Sequence, residues 1–87
     1  MKEFELDSHK NETNKKKHGI DFIEAFNLWD DPDRIEIPAH TDDEKRFVAI
    51  GKIADTYWSG IITYRGERMR IISVRRSRRE EIEIYES

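Results

Sequence analysis

The 87-residue sequence has no cysteine, which excludes disulfide staples and thiolate metal sites. It has no apolar run near the roughly 18 residues of a membrane span, and its amino terminus lacks the apolar core of a secretion signal. No membrane association and a cytoplasmic location are therefore expected. Several kinds of reactive site are missing too. There is no glycine-rich phosphate loop. His9 and His18 stand nine residues apart, which fits no common zinc spacing. Asp30-Asp31-Pro32-Asp33 lacks the glycine and closing glutamate of a calcium loop. Ser59 and Ser73 fall within strand-like segments without a partnered histidine, so a hydrolytic triad has no support. Neither a metal nor another cofactor is expected. Repeats, low-complexity tracts and linkers are also missing, and residues 1–87 read as one domain, since so short a chain cannot divide its core.

Only 36% of the residues are apolar and 40% are charged, a balance that approaches disorder. The apolar residues are not scattered, however. They gather in runs such as Phe47-Val48-Ala49-Ile50 and Ile71-Ile72, and nine aromatic residues supply large core anchors.

The periodicity changes along the chain. Phe4-Glu5-Leu6 alternates like a short strand, and Asp7 stands at a helix N-cap position. Residues 8–18 hold no large apolar side chain, so a helix there makes polar contacts and ends at Gly19. Asp21 caps a second helix whose face carries Phe22, Ile23, Phe26 and Trp29, read as core packing, and Asp31-Pro32-Asp33 breaks it. Strands follow at 34–38, 46–53, 57–64 and 67–75, with a polar loop from His40 to Lys45, Gly60 as a bulge candidate and a tight turn at Arg65-Gly66. Residues 77–85 read as a terminal helix with Ser77 as N-cap, Glu80 at its third position and Ile82 and Tyr85 as packing residues. The expected architecture is α+β: two amino-terminal helices and a short carboxyl-terminal helix packed over one face of an antiparallel sheet.

The net charge of −3 conceals a segregation of charge. Between Asp21 and Glu44 there are nine acids and one base, Arg34; between Arg65 and Arg79 there are seven arginines and one acid, Glu67. Arginine without lysine suits planar, bidentate contact with phosphate. Strand alternation puts Arg68, Arg70, Ile72 and Val74 on one face and Met69, Ile71 and Ser73 on the other. Arg46, on a neighbouring strand, joins the first face, while Arg75, Arg76, Arg78 and Arg79 extend the charge past the strand. The plainest reading is a solvated basic edge; the same-face arginines in an otherwise acidic chain make anion binding its rival. Metal-free cleavage of RNA needs a group that takes the 2′-OH proton, cations that stabilise the phosphorane, and a proton for the leaving 5′-oxygen. His40 and Glu44 lie in the loop that enters the strand of Arg46.

Taken together, Asp7, Lys10, Asn14, Lys17-His18-Gly19, Phe22, Asp31-Pro32, His40, the run from Glu44 to Gly51, Arg65, Arg70-Ile71-Ile72-Ser73, Arg75-Arg76, Glu80 and Tyr85 resemble the BrnT family of type II toxins, across nearly the whole chain. The resemblance implies a fold similar to the RelE-type ribonucleases and an endonuclease that arrests growth by cutting RNA. It also implies a BrnA-like DNA-binding antitoxin whose complex with the toxin binds its own operator DNA. The residues it carries over are Glu44, Arg46, Arg70, Arg75 and Arg76, with His40 and Arg68 beside them. We assign proton transfer to Glu44 or His40, the scissile phosphate to Arg46, Arg68 and Arg70, and flanking phosphates or antitoxin to Arg75 and Arg76, with Arg65 a further RNA contact. A rival reading from another class is a non-enzymatic basic module that docks an acidic partner or DNA.

Overall fold

Short connections between apolar runs make neighbours in sequence neighbours in a sheet. In the computed structural model, which describes residues 3–5, 8–39 and 45–87, β2 (Ile35–Ala39), β3 (Arg46–Ile53), β4 (Thr56–Arg65) and β5 (Arg68–Arg76) form an antiparallel meander. β1 (Glu3–Glu5) completes the order β1-β5-β4-β3-β2, and it runs parallel to β5 rather than antiparallel. Parallel pairing needs a long crossover, and everything between β1 and β5 supplies it. Leu6 and Asp7, expected to end this strand and cap the next helix, lie outside the described residues.

α1 (Ser8–His18) ends where Gly19 adopts φ +80°, a backbone angle that favours glycine. Asp21 caps α2 (Phe22–Ala25): Glu24 N–H donates to Asp21 Oδ1 at 2.7 Å and Asp21 N–H donates back to Glu24 Oε1 at 3.2 Å. The helix then tightens to a 3-10 helix over Phe26–Asp30. A three-residue period brings Phe22, Ala25 and Leu28 to the core, each 1% exposed or less. That tightening leaves Ile23, expected on the packed stripe, 61% exposed.

The core lies between these helices and one face of the sheet. It contains Ile20, Phe22, Ala25, Ala49, Ile62, Met69, Ile71 and Val74, bordered by Phe26, Trp29, Phe47, Trp58 and Tyr64. Gly51 lets Leu28 approach, since a Cβ there would stand 3.1 Å from Leu28 Cδ2. α1 joins the layer through polar contacts, as its composition dictates. The buried Asn14 amide donates to Ile20 O and Val74 O, both at 2.8 Å, and its Oδ1 accepts from Val74 N–H at 3.0 Å. It thereby serves β5 as a strand partner beyond the three residues that β1 covers.

The sheet contains one irregularity. Ile61 pairs with Ser73 but Ile62 pairs with Ile71, so Ile72 is the extra residue of a bulge. Simple alternation assigns Val74 to the arginine face; the bulge turns it into the core, where it is fully buried. Gly60, read from the sequence as a bulge candidate, pairs regularly with Ala49 and Val74; the extra residue lies on β5 instead, next to the following pair.

α3 (Arg79–Glu86) packs on the opposite face of the sheet from α1 and α2, over Ser59 and the buried Ile50. An arrangement with the helices on one side is thus corrected to helices on both. Its cap is also shifted by one residue from expectation: Arg78 is the N-cap, and its N–H donates to Glu81 at 2.8 Å. Ser77 is unavailable as a cap because its N–H still pairs with Tyr57 O and its hydroxyl bonds that of Ser59.

Candidate nucleic-acid interface

The β4–β5 register sets out a grid of side chains on the face that α3 shares. Nearest the turn, Arg65 pairs with Arg68; the next row is Arg70, Thr63, Arg46 and Ala39; then come Ser73, Ile61, Val48 and Ile37; then Arg75, Ser59, Ile50 and Ile35. Strands stand about 5 Å apart and same-face residues on one strand about 7 Å apart. Arg46 and Arg70 are therefore separated by one strand, roughly 10 Å at the backbone, a gap that two long guanidinium side chains can close on a single phosphate. Arg65 and Arg68 are exposed, whereas Arg46 and Arg70 are half-buried beside half-buried Ile37, Val48, Ile61 and Ile72. The result is an arginine rim around a partly apolar floor.

The trailing arginines divide. The bulge at Ile72 brings Arg75 to the same face as Arg70, and sends Arg76 to the other, where its guanidinium lies 5.7 Å from the Trp58 ring centre. Both belong to β5 rather than to a segment beyond the sheet. Arg75 grips Glu81 with two bonds of 2.7 and 2.8 Å, and Ser59 Oγ donates to the same carboxylate at 2.9 Å. The Arg75 bonds hold the Glu81 carboxyl at about 2 against the opposing effect of burial, with the Arg78 and Ser59 donors adding to the depression.

Because the folded value lies below the ordinary 4.5, this contact stabilises fully above pH 4.5 and is lost as pH falls through about 2. Glu81→Gln is expected to cost about 1–3 kcal/mol at neutral pH. The difference in melting temperature from wild type should shrink as pH is lowered from 4.5 towards 2; an offset that stays constant with pH would contradict this account of α3.

His40 and Glu44 lie outside the described residues. Among the described residues, Ala39 and Arg46 form the last pair of the β2–β3 register and belong to the Arg70 row. Beside that pair, Thr63 Oγ1 donates to Lys45 O at 2.8 Å.

The sequence gives little warning of Asp31. It reads there as a helix breaker, and its carboxylate collects three donors: Lys52 N–H at 2.8 Å, Tyr85 hydroxyl at 2.7 Å and Asp33 N–H at 2.9 Å. Burial pushes its acid up, but these donors outweigh that and leave it below the ordinary range. Tyr85, expected as a packing residue, thus docks α3 through its hydroxyl as well as edge-on against the Tyr57 ring. The cleft around it, lined by Asp30, Asp31, Asp33, Lys52, Tyr85 and Glu86, is acidic and sits at the Ile53 end of β3, away from Arg46. The fold therefore keeps these acids and Arg46 at opposite ends of one strand. Among the described residues no group of three or more histidines and carboxylates is placed to hold a metal ion, and no helix is long and apolar enough to cross a membrane.

No curated protein matches the chain. The family model for the ribonuclease toxin BrnT of type II toxin–antitoxin systems matches residues 6–81, a span that contains every strand of the antiparallel meander and the arginine grid. The chain belongs to the BrnT family of ribonuclease toxins.

Proposed function

We propose that this toxin is a metal-independent RNA endonuclease that cuts on the open arginine face of its sheet. The observation that supports this most is the register row Arg70–Thr63–Arg46, with Arg68 and Arg65 in the adjoining row. In this reading Arg46, Arg68 and Arg70 hold the scissile phosphate and stabilise the charge that develops on it. Glu44 or His40 takes the 2′-OH proton, and a proton returns to the leaving 5′-oxygen. Arg65 contacts RNA along the same face.

The geometry supports a different use for Arg75 than direct grip: with Glu81 it pins α3 across the sheet. Arg76, beside Trp58 on the other face, serves flanking RNA or the antitoxin. Charge segregation supports acid-mediated neutralisation, in which carboxylates of a BrnA-like DNA-binding antitoxin cover the grid and the joint complex binds its operator. The site of action is the cytoplasm, and the fold is of the RelE type.

Purified protein incubated with RNA is expected to cleave it equally well with and without a chelator. Loss of cleavage on chelation would contradict metal independence. Absence of cleavage in both, with no growth arrest on induction, would favour the non-enzymatic binding module instead.

A further inference from the structure

Four donors converge on the Glu81 carboxylate of α3. Arg75 Nη1 and Nη2 stand 2.7 and 2.8 Å from it, Ser59 Oγ 2.9 Å and Arg78 N–H 2.8 Å. A planar arginine fork joined by hydroxyl and backbone donors is also the donor set that grips a phosphate. This clasp lies on the grid face: the Ile72 bulge brings Arg75 into line with Arg70, two rows further along β5 and roughly 14 Å away at the backbone. That distance is within the span of a short stretch of single-stranded RNA. α3 also carries Glu80, Glu83 and Glu86, so an acidic helix overlies a basic face. None of its residues is fully buried, and its hold on the sheet is largely polar. Bonds of that kind exchange for others of the same chemistry.

We infer that the clasp of Arg75 and Ser59 is a phosphate subsite for RNA, filled in the free protein by the Glu81 carboxylate, which acts as a built-in competitor of the substrate. This rests on the proposed binding of RNA to the arginine face. Pinning α3 and gripping phosphate are then alternative uses of one guanidinium. An RNA phosphate that enters the clasp displaces Glu81 and loosens the first turn of α3, while the Tyr85–Asp31 bond of 2.7 Å keeps the far end tethered. A competitor within the chain lowers apparent affinity in proportion to the fraction of molecules whose site is open. Binding is weakened, and Arg46 and Arg70 keep their places.

The test measures binding of a fluorescent 2′-O-methyl RNA oligonucleotide, which lacks the hydroxyl needed for cleavage, to wild type, Glu81→Gln, Arg75→Gln and the double variant. Glu83→Gln, at an exposed acid of α3 outside the clasp, controls for loss of charge alone. Glu81→Gln is expected to tighten binding roughly five- to fiftyfold, and to steepen the slope of log K against log salt by about 0.7, the value of one added phosphate contact on a single strand. Glu83→Gln is expected to gain about twofold at most, and Glu81→Gln in the Arg75→Gln background no more than that. A gain in Glu81→Gln no larger than in Glu83→Gln, or one that persists without Arg75, would overturn the inference. Wild type supplies a check that needs no variant to fold. The Ile82 amide, bonded to Arg78 O at 3.0 Å, is expected to exchange hydrogen faster once the oligonucleotide is bound; unchanged or slower exchange would overturn the displacement. Tighter binding by Glu81→Gln, with no cleavage of unmodified RNA by wild type, would uphold the subsite and remove the proposed nuclease. No binding by wild type or by Glu81→Gln would remove both.

Discussion

Asn14→Ala is expected to lower the melting temperature by roughly 10–20 °C. The Asn14 amide satisfies three buried backbone groups at once: Val74 N–H, Val74 O and Ile20 O. Each orphaned buried group costs about 1–3 kcal/mol, so the loss is about 3 kcal/mol or more. A domain of this size holds only about 5–15 kcal/mol in total, and each kcal/mol corresponds to roughly 4–8 °C. The position also bears on the fold beyond its own bonds, because Val74 is the residue that the Ile72 bulge turns into the core. Asn14→Leu restores the side-chain volume without the bonds and is expected to be just as damaging. Thermal denaturation of both variants checks this; a drop under about 5 °C in either would mean that α1 is held to β5 by something other than this amide.

The largest effect on activity is expected at the arginine grid. Removal of a single preorganised donor from developing charge costs about a hundred- to a thousandfold in rate, and Arg46, Arg68 and Arg70 together supply three. Their joint replacement by alanine is expected to lower RNA cleavage by at least about a thousandfold and to abolish growth arrest. The three are half-buried or exposed on the face opposite the core, so the fold is expected to survive the change. Arg75 is different. Its guanidinium is committed to Glu81, and Arg75→Ala is a change to α3 docking before it is a change to RNA contact.

Much of this grid could be read from sequence. β3 begins and ends at Arg46 and Ile53 as its apolar run predicts, because the run is long and bounded by polar turns. Gly19 and the Asp21–Glu24 box act through local chemistry, and local chemistry is what a sequence displays. The side on which α3 packs was not legible, since its bonds to Ser59, Arg75 and Asp31 come from residues 22 to 54 positions away, or six in the case of Arg75. The bulge was half-legible: Gly60 marks the region, but nothing in Ile71-Ile72-Ser73 says which residue is the extra one. That single insertion decides the company of every later side chain on β5, joining Arg75 to Arg70 and separating Arg76 from both. Alternation at a 3.6-residue period puts Ile23 on the packed stripe, but the helix tightens after four residues and its period changes to 3.

The central claim is that RNA is cut on the open face that carries Arg46, Arg68 and Arg70. The most direct measurement is cleavage of an RNA substrate by the Arg46/Arg68/Arg70→Ala variant, beside wild type and a Lys16/Lys17→Ala variant that removes positive charge from α1. The account predicts cleavage by wild type and by the lysine variant, and none by the arginine variant at a native circular dichroism spectrum. Cleavage by the arginine variant at the wild-type rate would contradict it.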